Sequence, residues 1–381
     1  MDRRRITCTS MLLLTILLFL STSISARPHT SIPQTPIKAG YYPSWLYPSF
    51  PPSSINPSLF THVLFAFAEP DPSTFQLTIS SSDAAILANF SSSLRAKPVK
   101  TLLSIGGGGA NTTVFEKLAS APSSRAVFIQ STISVARRYE LDGVDLDWEF
   151  PANPGQMSDL GDLFVEWRAA VEEEAAATGR PRLLLTAAVY FAQRFFLPGD
   201  VPRAYPAAAI AASLDWVNAM CFDFHGSWDT SATGEHAALY DSASNVSGSY
   251  GLKSWVAAGV PAKKVVIGLP LYGRTWRLKN PAEHGIGAAA VGVGSGEDGV
   301  MRYDDVVDYN KEKNAHVVFD KMVVGVYSYA GDNWIGYDDL RSVRKKIEYA
   351  KGLGLGGYFF WAIGYNKDWS ISKGAWKAWG H

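Results

Sequence analysis

Eight short runs rich in β-branched and aromatic residues punctuate the chain: IKAGYY from 37, THVLFAF from 61, VKTLLSI from 99, GVDLDWE from 143, LLLTAAV from 183, DWVNAMCF from 215, KVVIGLP from 264 and GGYFFWA from 356. Such runs read as strands. Between most of them lie Ala-rich or amphipathic stretches, at 123–140, 157–178, 205–213 and 338–352, whose spacing of apolar positions predicts helices. Strands that alternate with helices build βαβ units and a parallel sheet. A count of eight points to an α/β fold closed into a (β/α)8 TIM barrel, with a doubly wound open sheet as the alternative. Residues 274–336 interrupt this rhythm with GIGAAAVGVGSGEDG and then mixed strand and helix signals. That is too long for a simple loop of a compact domain, so we read it as a small α+β module inserted between strand seven and its helix, walling one side of a cleft.

The fourth run breaks the propensity rule. DGVDLDWEFP, residues 142–151, sets Asp145, Asp147 and Glu149 among Val144, Leu146 and Trp148, although Asp is a poor strand residue. With a side-chain period of two, the three acids share one face and the three apolar residues the other. In a barrel the apolar face meets the helices and the acids point inward, roughly 6–7 Å apart along the strand. Charges that close in a dry interior cannot all ionise, so their pKa values are driven apart and some hold protons. A carboxyl kept neutral this way can serve as a general acid. Glu149, at the C-terminal end where such barrels carry their active sites, is the natural donor, Asp147 can hold or pass a proton, and Asp145 sets the charge of Asp147 from below. A calcium loop is a poor match, because Phe150 stands where its Gly belongs and Gln156 where its last acid belongs. A solvated edge strand, and an inert ladder on a binding protein, stay open.

The N-terminus reads as an export signal: Arg3 to Arg5, an apolar run from Met11 to Leu20, then small and polar residues to Ala26. The mature chain, 27–381, is then one barrel domain interrupted by the module, and a secreted, extracellular protein is expected, with the vacuole as a second destination. The sequons at Asn89, Asn111 and Asn245 agree with N-glycosylation on that route. The 35 basic and 35 acidic residues of the full chain become 32 and 34 without the signal, which holds three Arg and one Asp. Near neutrality gives no reason to expect a nucleic acid or an anionic membrane as partner. Of two cysteines one falls in the signal, leaving Cys221 between Met220 and Phe222 as a buried small hydrophobe with no disulfide partner. His225 has no second His at ligand spacing, so it reads as structural. No metal and no cofactor are expected, and the protein is expected to be a monomer.

DGVDLDWEFP resembles the DxxDxDxE signature of glycoside hydrolase family 18. The resemblance runs through AGYYPSW (39–45), HVLFAFAEPD (62–71), SIGGGG (104–109), GLPLYGRTW (268–276), WIGYDD (334–339) and GGYFFWAIGYNKDW (356–369), and is closest to the plant class V chitinases. It implies a TIM barrel with the module after strand seven, and retaining hydrolysis of chitin or chito-oligosaccharides without a carboxylate nucleophile. In that scheme the substrate's 2-acetamido oxygen attacks the anomeric carbon while Glu149 protonates the leaving oxygen, the substrate-assisted exception to two-carboxylate chemistry. Asp147 would orient the acetamide N–H and Asp145 would receive the proton that Asp147 releases.

The same resemblance assigns Tyr41, Phe67 and Trp361, at the ends of strands one, two and eight, as walls and floor for a sugar ring, which aromatics grip by its C–H faces. It gives Tyr272 and Arg274 hydrogen bonds to substrate, against the alternative of an Arg paired to a structural acid. Ser104, Gly106 and Gly107 lie beneath the acids, or form only a tight strand-end turn. In MCFD, Met220 and Asp223 match, but Phe222 stands where the family commonly has a Tyr whose hydroxyl steadies the attacking acetamide. Losing such a donor costs on the order of 10²- to 10³-fold in rate, unless another group such as Tyr190 replaces it. A chito-oligosaccharide-binding lectin on the same scaffold is therefore the second expectation, and an inhibitor-like protein-interaction module the third.

Overall fold

A computed structural model describes residues 35–380; the segment read as an export signal lies outside them. Eight parallel strands form the barrel, numbered here β1 (Ile37–Pro43), β2 (His62–Pro70), β3 (Lys100–Gly106), β4 (Gly143–Asp147), β5 (Leu184–Tyr190), β6 (Trp216–Met220), β7 (Val265–Pro270) and β8 (Gly357–Trp361). Each pairs with the next in chain order, and β1 pairs with both β2 and β8, with Tyr41 opposite Leu64 and Gly40 opposite Phe360. The sheet therefore closes, which settles the choice against an open doubly wound sheet. The eight strands and the four helices named above differ from the sequence reading by at most three residues at either end. In the fourth strand the difference matters: β4 stops at Asp147 and leaves Glu149 beyond its end.

Alternation along each strand builds two apolar layers. Inward-facing Ile37, Ala39, Tyr41, Leu64, Ala66, Leu102, Trp216, Val266 and Phe359 fill the barrel interior. Outward-facing residues such as Val144, Leu146 and Val217 join the larger core under the helices. The longest helix, Pro154–Thr178, begins just after the acid strand. Its start is set by Pro154 in the first turn and by the Asn153 side chain, which accepts from the Gln156 N–H, and its end by Gly179 in the left-handed region at φ 68°.

Between β7 and its helix the chain leaves the barrel to form a six-stranded antiparallel sheet with the helix Tyr303–Glu312 against it. The sheet opens with Tyr272–Leu278, whose partner Asn333–Tyr337 closes the excursion. Trp276 and Trp334, both fully buried and edge to face at 5.4 Å, centre its apolar core. The barrel resumes with helix Leu340–Gly352, started by a capping box of Asp339 and Ser342. That helix carries Lys346, whose ammonium is buried against the Asp338 carboxylate at 2.5 and 2.7 Å and also donates to the Ala237 carbonyl. Removing one member of a buried pair strands the other charge. Lys346→Met is expected to lower the free energy of unfolding by about 3 kcal/mol, measured by urea denaturation; a loss under about 1 kcal/mol would contradict this account of how the helix is anchored.

Asn89 on helix Ser81–Leu94, Asn111 at the N-cap of helix Thr112–Ala119, and Asn245 in the loop before helix Gly248–Ala257 are all exposed. No helix among the described residues is long and apolar enough to cross a membrane.

Candidate active site

The acids of β4 descend into the barrel. Asp145 is fully buried and is met by hydroxyls from β1, β3 and β5: Tyr41 at 2.9 Å and Ser104 at 2.8 Å on one oxygen, Thr186 at 2.6 Å on the other. Burial raises its pKa, and these bonds, which favour the charged form, oppose the rise. Asp147, 3% exposed, has no such set of donors, and one of its carboxyl oxygens has no partner. Burial, then the charges of Glu149 and Asp145, push its pKa well above the carboxylate range, and its one side-chain hydrogen bond is to Glu149. Glu149 is half-buried where the chain leaves β4. Burial first, with a contribution from Asp223, pushes its carboxyl up to about 7, against the hydrogen bond with Asp147. The ladder thus divides into a buried carboxyl ringed by hydroxyl donors below and a proton-holding pair above.

Two glycines make this geometry possible. Gly106 has φ +113°, and a Cβ there would lie 2.1 Å from the Asp147 carbonyl oxygen. Gly107, at φ +93°, donates its N–H to that same oxygen at 2.8 Å, and a Cβ would strike the Phe67 ring at 2.5 Å. Both sit in the left-handed region that glycine tolerates. With Ser104 donating to Asp145, the SIGG run supports the acids rather than merely turning the chain.

Above the ladder opens a cavity of about 460 Å³, with Tyr41, Asp147, Glu149, Met220, Phe222, Asp223 and Trp361 among its walls. Its lining is mostly apolar and aromatic around a few convergent carboxyls, the usual composition of a small-ligand site. Tyr41 presents ring surface there, but its hydroxyl is turned down to Asp145. Asp223 follows β6 in the left-handed region at φ +59° and accepts from Tyr272 at 2.7 Å and Arg274 Nε at 2.8 Å. Burial would raise its pKa, yet His236 and Arg274 beside it hold it well below the carboxylate range. Asp223 is therefore a fixed negative charge facing Glu149.

Three residues that the resemblance assigned to the sugar also hold other members of the site. The Tyr272 hydroxyl and the Arg274 Nε both donate to Asp223, at the point where Tyr272–Leu278 enters the inserted sheet. Phe67 stacks on the wall residue Trp361 at 5.6 Å and 21°. Tyr190 does line the cavity, but its hydroxyl is shut in without a partner, and its charged neighbours are Asp200 and Arg203. It does not supply the donor missing at Phe222. Phe222 itself packs edge-on to Tyr272 and Phe359 at 6.2 and 6.0 Å.

Other wall residues went unnoticed in the sequence. Trp228, 60% exposed, stands at the rim with the Arg274 guanidinium 4.9 Å from its ring. Trp45, 53% exposed, continues the Phe67 and Trp361 cluster outward at 6.2 Å from each. Phe191, Leu197, Phe224 and Val246 complete an apolar side. His225 pairs with Asp229 at 2.9 Å, and Cys221 is buried with its thiol pushed up to about 12 by burial. Among the described residues no cluster of three or more His, Cys, Asp or Glu side chains has the geometry of a metal site.

The sequence model of glycosyl hydrolases family 18 matches residues 37–366. A class V chitinase of Medicago truncatula is 48% identical over 384 aligned positions, covering 99% of each chain. The solved structure of a class V chitinase from Nicotiana tobaccum in complex with NAG4 superposes with a TM-score of 0.86 at 43% identity, covering 91% of this chain and 99% of that one. A chitinase-like agglutinin from Robinia pseudoacacia is also similar, with a TM-score of 0.82, 42% identity and coverage of 90% and 100%.

Proposed function

The chain belongs to glycosyl hydrolases family 18, and from that premise we propose that it is a chitinase, hydrolysing β-1,4-linked N-acetylglucosamine chains with retention and with help from the substrate's own acetamide. The observation that carries this reading is a half-buried Glu149 held near pKa 7 on the cavity wall, hydrogen-bonded to a buried, proton-holding Asp147. A general acid works best with a pKa near the working pH. The class V relative solved with NAG4 supports the substrate class.

Glu149 protonates the leaving glycosidic oxygen while the acetamide carbonyl oxygen attacks the anomeric carbon, closing an oxazolinium ring. Asp147 passes its proton to Asp145 and, as a carboxylate, accepts the acetamide N–H, which sharpens the carbonyl oxygen as nucleophile. Water then enters, Glu149 takes its proton, and ring opening restores the starting β configuration. Asp223 stabilises the cationic ring by its fixed charge. Trp361 offers an apolar face to the sugar.

The pH response follows. Glu149 must be protonated to act, its pKa is raised to about 7, and the active fraction falls as pH rises through that value. The alkaline limb of kcat/KM is expected near pH 7, measured on N-acetylglucosamine tetramer; activity level to pH 9 would contradict it.

One observation favours a second reading. Phe222 offers no hydroxyl to the acetamide, and a similar chain is an agglutinin. A protein that binds oligomers through this cleft and turns them over slowly is the alternative, and product release from N-acetylglucosamine oligomers under single-turnover conditions distinguishes the two. We also read the protein as secreted and N-glycosylated, supported by the basic and apolar N-terminal pattern and by three exposed sequons; N-terminal sequencing and a shift in mass after glycosidase treatment test both.

A further inference from the structure

We propose that Asn218 and Trp216, beneath the cavity floor, are positioning residues: together they fix the Tyr41 hydroxyl as a permanent donor to Asp145 and so decide which acid of the ladder keeps the resting proton. The proposal rests on the roles given above to Asp145 and Asp147. It follows from counting donors and acceptors. An indole N–H only donates, and Trp216 Nε1 lies 3.0 Å from the Asn218 side chain. The atom it meets must be the amide oxygen, which removes the usual ambiguity of an Asn amide. The Asn218 amide nitrogen is thereby turned to the Tyr41 oxygen, 2.9 Å away, and it too only donates. Tyr41 has one hydroxyl hydrogen. With its oxygen accepting from Asn218, that hydrogen is directed to Asp145 at 2.9 Å.

Trp216, Asn218 and Tyr41 are each at most 3% exposed, so bulk water does not compete for these groups. With Ser104 and Thr186 also donating, Asp145 is an acceptor on every side, and the Asn218 amide adds a longer contact at 3.5 Å. A carboxylate so surrounded rests as the anion, and the proton stays on Asp147 until substrate arrives. Neither Trp216 nor Asn218 lines the cavity, so their influence on a sugar passes through Tyr41 and Asp145 alone. The far end of the chain is electrically quiet. Trp216 packs at 4.7 Å from His62, flanked by Lys100 and Asp215, and burial lowers the His62 pKa to about 3, so the ring is neutral at working pH. On the near side the titratable groups facing Asp145 are Tyr41 and Asp147, with Glu149 beyond Asp147.

The test compares wild type with Asn218→Leu, Trp216→Phe and Asn218→Asp. Infrared titration of the protonated-carboxyl band in the free protein reads the Asp145–Asp147 pair without requiring turnover, and kcat/KM against pH on N-acetylglucosamine tetramer reads it in action. Loss of one net hydrogen bond in Asn218→Leu or Trp216→Phe is expected to raise the pH at which the pair takes up its second proton by about half to one unit. The acid limb of kcat/KM moves by the same amount, and the tetramer Kd changes less than about twofold because neither residue lines the cavity. Asn218→Asp, which sets a further carboxyl beside Asp145, moves it further. An unshifted infrared titration in both Asn218→Leu and Trp216→Phe, each folded by circular dichroism, overturns the proposal and leaves these residues a packing role. If the infrared shift is seen while the wild type cleaves nothing at any pH, the positioning role stands and the hydrolase reading fails.

Discussion

Glu149→Gln is expected to release product from N-acetylglucosamine tetramer about 10³-fold more slowly than wild type, while binding the tetramer with an unchanged or slightly tighter Kd. The size follows from the loss of general acid catalysis, worth about 10²- to 10⁴-fold, here at a poor leaving group. The amide of Gln has nearly the shape of a protonated carboxyl and no proton to give. It also removes a titrating group from the cavity wall, where burial already disfavours charge, so the fold has no reason to weaken. Progress curves and isothermal titration on the same preparations check both halves. Undiminished cleavage would show that another group protonates the leaving oxygen. Lost binding would show that Glu149 holds substrate rather than cleaving it.

The second large effect runs the other way. Phe222→Tyr is expected to raise kcat on the same tetramer by about 10²-fold, equivalent to about 2.7 kcal/mol of barrier, with little change in KM. Phe222 lines the cavity two residues past the end of β6, and no hydroxyl that faces the acids replaces the one it lacks: the Tyr190 hydroxyl is enclosed, Tyr272 serves Asp223, and Tyr41 serves Asp145. A donor restored there meets the acetamide oxygen most strongly as it attacks, which is why the gain falls on kcat. The ring has polar company to tolerate it, since Asp223 follows directly in the chain. A rate unchanged by the substitution would mean that the site already stabilises the acetamide in another way, and a wild type as fast as its tyrosine variant would remove the main support for the lectin alternative.

How far the sequence foretold the site depended on whether strand periodicity applied. Alternation alone put Asp145 and Asp147 inside the barrel, and it applied to β6 as well: Trp216, Asn218 and Met220 fall on the inner face by the same count of two, so the buried network under Tyr41 was legible and overlooked. The signal was a polar Asn between inward-facing apolar residues. Where the chain leaves regular structure the rule lapses. Trp45 sits on a single 3-10 turn, Ser44–Leu46, and Trp228 on a loop, whose paths are fixed by contacts distant in sequence, such as Trp228 against Arg274. Tyr272 and Arg274 were assigned to the sugar by the resemblance alone; that both meet Asp223, and that their strand pairs with Asn333–Tyr337 in the inserted sheet, no local pattern shows. The stacking of Phe67, three residues before the end of β2, on Trp361 is likewise a tertiary contact between two aromatic rings.

The claim on which the rest turns is that burial in the barrel mouth, not proximity to a base, keeps Glu149 protonated into the neutral range. Carbon-13 NMR of the side-chain carboxyls in the Glu-labelled protein, with the Glu149 signal assigned by its absence in Glu149→Gln, measures this in the free protein. A titration midpoint near 7 is the predicted result. A midpoint between about 4 and 5, the ordinary range for an exposed glutamate, would contradict it, because a carboxyl already ionised at neutral pH has no proton to give a departing sugar.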